Sequence, residues 1–322
     1  MRFAHAAQLP ALAALLTEGR PLPHDAATTR AAAYHRLEGY AVRADPASPL
    51  LDAHRQAALS SALVRAQLAQ AAGTLADATG APPVLVKGPA AAALHPSPEL
   101  RAYSDLDLVV PKAQLRAAAA ALQADGWRLS RARRMGVAGG EPWAGFAEAY
   151  GHELALARDI GARAVGLELH WRLVDDPRAD GLDRDTLAHG GSVLDQAIVP
   201  AAPELLVALA LHLVAHADRR LIMVTDVALA AEASGPDLAG AFDLAARRDV
   251  AWELHRALDA AEKHAGVAVQ RPAPRPPKPP LGPLRSALWR SPRPVGVHVG
   301  RLAALSGRER LRYVAAGLRS LR

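Results

Sequence analysis

The spacing of hydrophobic residues divides the chain into a helical beginning, a strand-containing middle and a helical second half. Residues 1–80 predict an N-terminal helical cap that ends near Gly73 and Gly80, since glycine commonly terminates helices. The helical repeat is clearest at Leu59, Leu63, Ala66 and Ala69. We therefore expect a second region to begin at residue 81.

Short apolar runs bounded by turn residues indicate a sheet within residues 81–175. A helix is predicted for Lys112 to Ala124, between the second and third runs. The four runs cover residues 84–86, 106–110, 154–157 and 165–169. This pattern predicts an α+β fold, in which a small mixed sheet follows the N-terminal helical cap and precedes a C-terminal helical half.

That helical half is predicted for residues 176–270. Its apolar positions predict long amphipathic helices from Pro203 to about Ser234 and from Pro236 to about Gly266. These helices would pack against the sheet.

Composition narrows the class of protein. Hydrophobic residues make up 51% of the 322 residues, which allows a sizeable core, whereas aromatic residues make up only 4%. The low aromatic content disfavours nucleic-acid binding by base stacking. Cysteine is absent, which excludes disulfides and thiolate metal sites and favours a cytoplasmic protein. No apolar stretch reaches the roughly 20 residues of a transmembrane segment, and no secretory signal is expected.

Two basic segments lie outside the predicted elements. Residues 271–322 carry twelve Lys or Arg against Glu309 alone, so this tail has a charge of +11 and the rest of the chain −5. Its prolines predict an extended linker before a short basic helix near Arg308 to Leu321. The tail could contact RNA or another polyanion, or it could simply be solvated. A glycine-rich stretch, residues 131–150, predicts a loop at the mouth of a site and carries Arg131, Arg133 and Arg134.

Two aspartates alternate with apolar residues in the second run. Side chains alternate faces along a strand, so Asp105 and Asp107 share one face while Leu106 and Leu108 pack on the other. Close carboxylates repel unless a cation lies between them, and oxygen ligands favour Mg²⁺ or Mn²⁺. This D-x-D pattern predicts a metal site, although such a pair can also just face water. Both aspartates should face out of the core, so their replacement should not affect stability.

The fourth run repeats this alternation. One face is predicted to carry Val165, Leu167 and Leu169, and the other Gly166, Glu168 and His170. If the two strands are neighbours, Glu168 completes a three-carboxylate cluster able to hold two metal ions for phosphoryl transfer. Alternatively, Glu168 pairs with an arginine and His170 is an oriented core histidine.

The first run ends at a Lys-Gly pair that predicts a phosphate-binding turn. Gly88 allows the backbone to approach a phosphate closely, and a helix predicted to begin at Pro89 would add its positive end. Lys87 and Arg101 would supply charge to a triphosphate. The alternative is a turn glycine beside a surface lysine.

His212 and His216 lie one helical turn apart in the second half, and Asp226 further along could face the same cleft. An H-x-x-x-H pair without an adjacent glutamate is a weak zinc signature. We therefore expect these histidines to pack in the core or to contact a substrate in a cleft.

Taken together, these segments resemble a bacterial family of uncharacterised nucleotidyltransferases in the DNA polymerase beta superfamily. The resemblance covers about residues 84–267 and rests on VLVKGPAAAALHP, RAYSDLDLVV, ADGWRL, GLELHW and ELLVALALHLVAH. It implies that the Lys-Gly turn binds nucleotide phosphates, that the D-x-D binds the metal, and that the acid before His170 and Trp171 is the third carboxylate. Two positions depart from the wider superfamily: Lys87-Gly88 replaces its Gly-Ser turn, and Glu168 stands where aspartate is commoner.

The resemblance implies an enzyme that moves a nucleoside monophosphate from an NTP, such as ATP, to a hydroxyl or phosphate on a small molecule, peptide or RNA. The implied catalytic residues and ligands of Mg²⁺ or Mn²⁺ are Asp105, Asp107 and Glu168. The implied nucleotide contacts are Lys87, Gly88, Arg101 and Ser104, and the cleft residues are His170, His212 and His216. Two alternatives stay open: a sugar transferase that holds a nucleotide-sugar through the D-x-D, and a non-catalytic relative that binds a nucleotide.

Overall fold

The computed structural model describes residues 3–130, 151–174, 181–216, 219–272, 274–276 and 311–314. The predicted loop with Arg131, Arg133 and Arg134 lies outside these residues, as does most of the predicted linker and basic tail. Residues 311–314, within the predicted short basic helix, are helical.

The N-terminal region is helical, as predicted. Its helices are α1 (Leu9–Glu18), α2 (Ala26–Tyr34), α3 (Glu38–Ala44), α4 (Leu51–Ala66) and α5 (Leu68–Thr79). Asp25 caps the start of α2, because its carboxylate accepts hydrogen bonds from the N–H groups of Ala27 and Thr28. Gly80 ends α5 at a φ of +72°, a conformation that glycine adopts without strain.

The helical repeat of Leu59, Leu63, Ala66 and Ala69 does not coincide with the buried face of these helices. Leu59 is 49% exposed, whereas Ser61 and Val64 of α4 are buried. The Ser61 hydroxyl can be buried because it hydrogen-bonds to the carbonyl oxygens of Ala57 and Tyr103. Gly73, predicted to mark the helix end, lies inside α5.

A seven-stranded mixed sheet forms the centre of the molecule. Its strands are β1 (Val84–Leu85), β2 (Asp105–Val109), β3 (Arg128–Leu129), β4 (Glu153–Ile160), β5 (Arg163–His170), β6 (Ser192–Leu194) and β7 (Ala197–Val199). They are arranged in the order β3-β4-β5-β2-β1-β7-β6. β2 pairs with β5 and β1 with β7 in parallel, and the other pairs are antiparallel. The predicted runs correspond to β1, β2, β4 and β5, so the α+β class with a small mixed sheet is confirmed.

Three strands were not predicted: β3, β6 and β7. A two-residue turn joins β6 to β7, and both turn residues, Asp195 and Gln196, have positive φ angles of 47° and 67°. Such hairpin turns usually contain Asn-Gly or Asp-Gly, so this turn carries no recognisable sequence signal. The sheet extends past residue 175, and the domain boundaries inferred from the sequence stay a prediction.

Among the described residues before residue 277, two helices belong to the middle region and five follow the strand β5. They are α6 (Pro89–Ala92), α7 (Leu115–Ala124), α8 (Arg184–Ala188), α9 (Ala202–Ala215), α10 (Leu221–Ser234), α11 (Leu238–Arg247) and α12 (Ala251–Ala265). The last four replace the two long helices that were predicted. Asp249, at a φ of +52°, separates α11 from α12. α9 and α10 are buried on nearly every side, so they are core helices rather than amphipathic surface helices.

Two apolar clusters flank the sheet. One contains Leu106, Leu108, Leu167 and Leu169 together with buried residues of α4, α5 and α7. The other contains Val109 together with residues of α1 and of α9 to α12. Since Val109 shares its face of β2 with Asp105 and Asp107, the polar face of the two central strands points toward the C-terminal helices. Within the described residues, no helix is long and apolar enough to span a membrane.

Candidate functional site

The two aspartates of the D-x-D lie on one face of β2. Leu106 and Leu108 are completely buried on the opposite face, as the alternation predicts. Asp105, at the start of the strand, is half-buried, and Asp107 is only 3% exposed. The expectation that both aspartates face out of the core is therefore wrong for Asp107.

The parallel pairing of β2 with β5 brings the third acid to the same place. Asp105 lies opposite Gly166, and Asp107 lies opposite Glu168. The predicted convergence of the two strands is therefore confirmed. A Cβ atom added at Gly166 would lie 3.2 Å from the Cβ of Asp105, so glycine leaves space there for the aspartate.

The ammonium group of Lys87 lies among these carboxylates. Its Nζ forms an ion pair with Oδ1 of Asp107 and lies 3.7 Å from Oε2 of Glu168. Burial acts to lower the pKa of Lys87, but the two carboxylates outweigh this effect and raise it. Lys87 thus neutralises part of the acidic cluster, and its contact with a triphosphate stays a prediction.

His170 completes the floor of the site. Its Nε2 lies 3.1 Å from Oδ1 of Asp107 and 3.5 Å from Oε2 of Glu168. Burial acts to lower the pKa of His170, but these carboxylate contacts raise it overall. His170 is 1% exposed, so it orients Asp107 from within the core.

The two aspartates differ in protonation. Burial, reinforced by the charges of Asp107 and Glu168, raises the pKa of Asp105 to about 7. Burial acts in the same direction on Asp107, but Lys87 and His170 hold its pKa well below the usual range. Of the two aspartates, Asp105 therefore has the negative charge that is less stabilised by neighbouring cations.

A further acid, Glu153, was missed in the sequence. It lies directly opposite His170 across the antiparallel β4–β5 pair, and its Oε2 is 3.1 Å from Nε2 of His152. Burial acts to raise the pKa of Glu153, but His152 and His170 lower it overall. Leu154 and Leu156 are buried in the other face of β4, an alternation that could have identified Glu153 as a residue of the polar face.

Two overlapping groups of side chains could hold a metal ion. Among the described residues, ligand atoms lie within 4.8 Å of one another in the group of Asp107, Glu168 and His170, and in the group of His152, Glu153 and His170. Asp105 belongs to neither, because it lies two residues from Asp107, roughly 7 Å along the strand. The closest grouping thus replaces one predicted aspartate by an imidazole.

The Lys87-Gly88 turn packs directly against the start of β2. Gly88 has a φ of +54°, and a Cβ atom added there would lie 3.0 Å from the carbonyl oxygen of Asp105. Pro89 begins α6 immediately afterwards. Ser104 is exposed just before β2, and its carbonyl oxygen accepts a long hydrogen bond from the N–H of Gly166. The predicted nucleotide contacts Gly88 and Ser104 therefore both lie beside Asp105.

Arg101 forms a buried ion pair with an acid from a distant part of the chain. Its Nη2 donates to Oδ2 of Asp226 at 2.9 Å, and its Nε lies 3.3 Å from both carboxylate oxygens. Asp226 belongs to α10 and is 2% exposed. No local sequence pattern links residues that lie 125 positions apart.

The two histidines of the second half lie together at the end of α9. The rings of His212 and His216 are 4.8 Å apart in an edge-to-face arrangement. Burial and the positive charge of Lys87 hold the pKa of His212 well below its usual range, so its imidazole is neutral. His212 lies within electrostatic range of Lys87 and Asp107, and its contact with a substrate stays a prediction, as does that of His216.

A small mixed sheet with acids clustered on its central strands, packed against helices, is an α+β architecture consistent with a nucleotidyltransferase-like domain. The family model of an uncharacterised nucleotidyltransferase matches residues 25–266, and the chain belongs to this family. No curated protein and no solved structure matches the chain.

Proposed function

We propose that this protein is a metal-dependent nucleotidyltransferase that moves a nucleoside monophosphate from an NTP to a hydroxyl or phosphate of an acceptor. The observation that carries this proposal is the parallel register of β2 and β5, which sets Glu168 level with Asp107 and two residues from Asp105 on one face. Membership of the nucleotidyltransferase family supports the same reaction class. The bacterial source and the DNA polymerase beta superfamily remain inferences from the sequence.

The donor set fits Mg²⁺ or Mn²⁺. Carboxylates of Asp105, Asp107, Glu153 and Glu168 lie around the ammonium group of Lys87, and among the described residues Asp105 forms no ion pair with it. Oxygen ligands of this kind are preferred by hard divalent cations. We propose that Asp105, Asp107 and Glu168 hold the metal. When bound, it would polarise the acceptor oxygen and neutralise charge on the triphosphate.

The protein's own groups would bind and orient the reactants. The acceptor oxygen attacks the α-phosphorus, the bond to the β-phosphate breaks, and pyrophosphate leaves with the bonding electrons. The side chain of Glu168 is 29% exposed, so an acceptor can reach it and transfer its proton to it. Asp107 is only 3% exposed and is less accessible to an acceptor. Lys87, Gly88, Arg101 and Ser104 surround the D-x-D and are the proposed contacts of the triphosphate.

Replacement of Glu168 by Gln tests this assignment. The substitution keeps the size of the side chain but removes the charge, and Lys87 retains its ion pair with Asp107, so the fold should survive. We expect turnover to fall by roughly 10²-fold or more while NTP binding is largely retained. Pyrophosphate release from each NTP, with Mg²⁺ or Mn²⁺ and a cell extract as acceptor source, measures turnover; calorimetry measures binding.

Asp159→Asn is the matched control. Asp159 lies on the neighbouring strand β4, but its carboxylate is exposed and pairs with Arg128 away from the site. This variant should keep wild-type turnover. Full activity in Glu168→Gln would reject the three-acid mechanism. Metal-dependent NTP binding by the wild type without pyrophosphate release would instead identify a non-catalytic relative.

A further inference from the structure

A chain of buried hydrogen bonds leads away from Arg101. The carboxylate of Asp226 accepts from Arg101, and its Oδ1 also lies 2.8 Å from Nε2 of His95. On the other side of the ring, Nδ1 of His95 lies 2.8 Å from the hydroxyl oxygen of Tyr40. His95 is completely buried at its side chain, so this is an interior network.

One tautomer of His95 satisfies every donor and acceptor of this network. Burial, followed by the charge of Asp226, raises the pKa of Tyr40, which therefore keeps its proton and donates to Nδ1 of His95. The Nε2–H group of His95 then donates to Asp226. Burial acts to raise the pKa of Asp226, but Arg101 and His95 lower it overall, so the carboxylate is ionised. Both of its oxygens are engaged, and it cannot rotate freely.

The network joins three parts of the molecule at the site. Tyr40 lies on α3, Asp226 lies on α10, and His95 follows α6, the helix that the Lys87-Gly88 turn begins. α3 approaches the backbone before Arg101 closely, since a Cβ atom added at Gly39 would lie 2.7 Å from Cα of Leu100. The position of Arg101 is therefore fixed by elements on either side of it.

This network does not engage every hydrogen-bond donor of Arg101. Among the described residues, Nη1 has no hydrogen-bond partner, and 12% of the side chain is exposed. The guanidinium also interacts electrostatically with Asp105 and Asp107, so it lies near the D-x-D.

We propose that Tyr40, His95 and Asp226 are positioning residues that hold Arg101 in place as a ligand for the polyphosphate of the nucleotide. This inference rests on the proposed nucleotidyl transfer and adds a determinant of its triphosphate binding. A guanidinium held in advance loses less freedom when it binds phosphate, so affinity rises.

A mutant cycle tests whether Tyr40 acts through Arg101. Inorganic tripolyphosphate with Mg²⁺ serves as the probe, and its Kd is measured by calorimetry. Tyr40→Phe removes one hydroxyl at the far end of the network and should raise this Kd by about 2- to 10-fold. Arg101→Met combined with Asp226→Asn removes both charges of the pair and should raise it at least about 10-fold. Tyr40→Phe added to that double variant should change nothing further.

Tyr34→Phe, on the neighbouring helix α2, is the control and should bind tripolyphosphate like the wild type. If the double variant does not fold, Arg101→Lys replaces it as the background, since lysine keeps a cation at Asp226 but lacks the fork of Arg101. The inference is overturned if the wild type does not bind tripolyphosphate, if Tyr40→Phe binds it normally, or if its effect persists in either background. Coupled tripolyphosphate binding without nucleotidyl transfer would support the inference while rejecting the proposed function, and turnover without coupling would do the reverse.

Discussion

Asp105 and Asp107 share one face of β2, yet their charges meet different surroundings. Asp107 is buried and contacts both Lys87 and His170, so its carboxylate is ionised and part of the packing. Asp105 lies beside Gly166 and contacts neither of those cations closely enough to form an ion pair among the described residues. Its raised pKa means that, without a metal, ionisation of Asp105 opposes folding.

We predict that Asp105→Asn and Asp107→Asn both lose turnover but change stability in opposite directions. The pKa of Asp105 rises from 3.8 to about 7 on folding, so the native state binds more protons between these pH values and wild-type stability falls as pH increases. Asp105→Asn removes this loss, which is at most about 1.4 kcal/mol per pH unit. The metal-free variant should therefore be more stable than the wild type at pH 8 and similar to it at pH 4.

Asp107→Asn should instead be destabilised by about 3–5 kcal/mol at neutral pH, because the buried Lys87 keeps only the more distant and partly exposed Glu168 within ion-pair distance. The pKa of Asp107 is depressed on folding, so this deficit should shrink as pH falls below the usual pKa of aspartate. Urea unfolding in EDTA across the pH range measures both variants. Equal stabilities for the two would mean that the aspartates have similar environments, contrary to the structure.

At the scale of elements, the conformation of the Lys87-Gly88 turn requires glycine at position 88. Alanine at position 88 would be unfavourable for two reasons. The backbone φ of +54° is strained for a residue with a side chain, and the added Cβ would lie 3.0 Å from the carbonyl oxygen of Asp105. We predict that Gly88→Ala raises KM for the NTP at least about 10-fold, since a displaced turn moves both Lys87 and the D-x-D.

Gly80→Ala is a control that introduces backbone strain without displacing the Lys87-Gly88 turn. Gly80 also has a positive φ, of +72°, but nothing lies within 4 Å of its added Cβ. It should lose roughly 1–2 kcal/mol of stability and keep its KM. Steady-state kinetics and thermal melting of the two variants make the comparison, and an equal rise in KM for both would trace the effect to strain alone.

The four predicted strands were recognisable because their apolar residues are contiguous or alternate, as at Leu106 and Leu108. Register was not predictable: the sequence alone does not reveal that Glu153 lies opposite His170, or that Asp105 lies opposite Gly166. Helix breaks were missed for a related reason. Asp249 interrupts a helical pattern through a positive φ, a conformation that aspartate adopts only occasionally and that no neighbouring residue signals.

At the scale of the whole molecule, the site depends on contacts between distant segments. The D-x-D and the third acid were found from local patterns, whereas the link between His95 and Asp226 spans 131 positions. Asp226 lies in an apolar helix, and its pairing with Arg101 is visible only in the folded structure. Local patterns therefore predicted which strands carry carboxylates. Which cations pair with those carboxylates is determined by tertiary packing and could not be predicted.

Among the described residues, the first part of the basic tail forms ion pairs with α12. Arg271 pairs with Asp259 and Glu262, and Arg275 pairs with Asp259, so these two arginines belong to the folded body. Residues 277–322 retain ten basic residues against Glu309. A test of polyanion binding should therefore remove the chain after residue 276, which keeps the ion pairs on α12.

We predict that this truncation weakens binding of single-stranded RNA at least about 10-fold at low salt, because the lost lysines and arginines can neutralise phosphates and release their counterions. The logarithm of the binding constant should fall steeply with the logarithm of salt concentration for the full chain and less steeply for the truncated one. Fluorescence anisotropy of a labelled RNA at several salt concentrations gives both slopes. Metal-dependent NTP binding should not change, since the acids and the Lys87-Gly88 turn lie upstream. The melting temperature should fall, because the truncation also removes Tyr313, which is 4% exposed. Identical RNA affinities for the two proteins would show that the tail is a solvated extension.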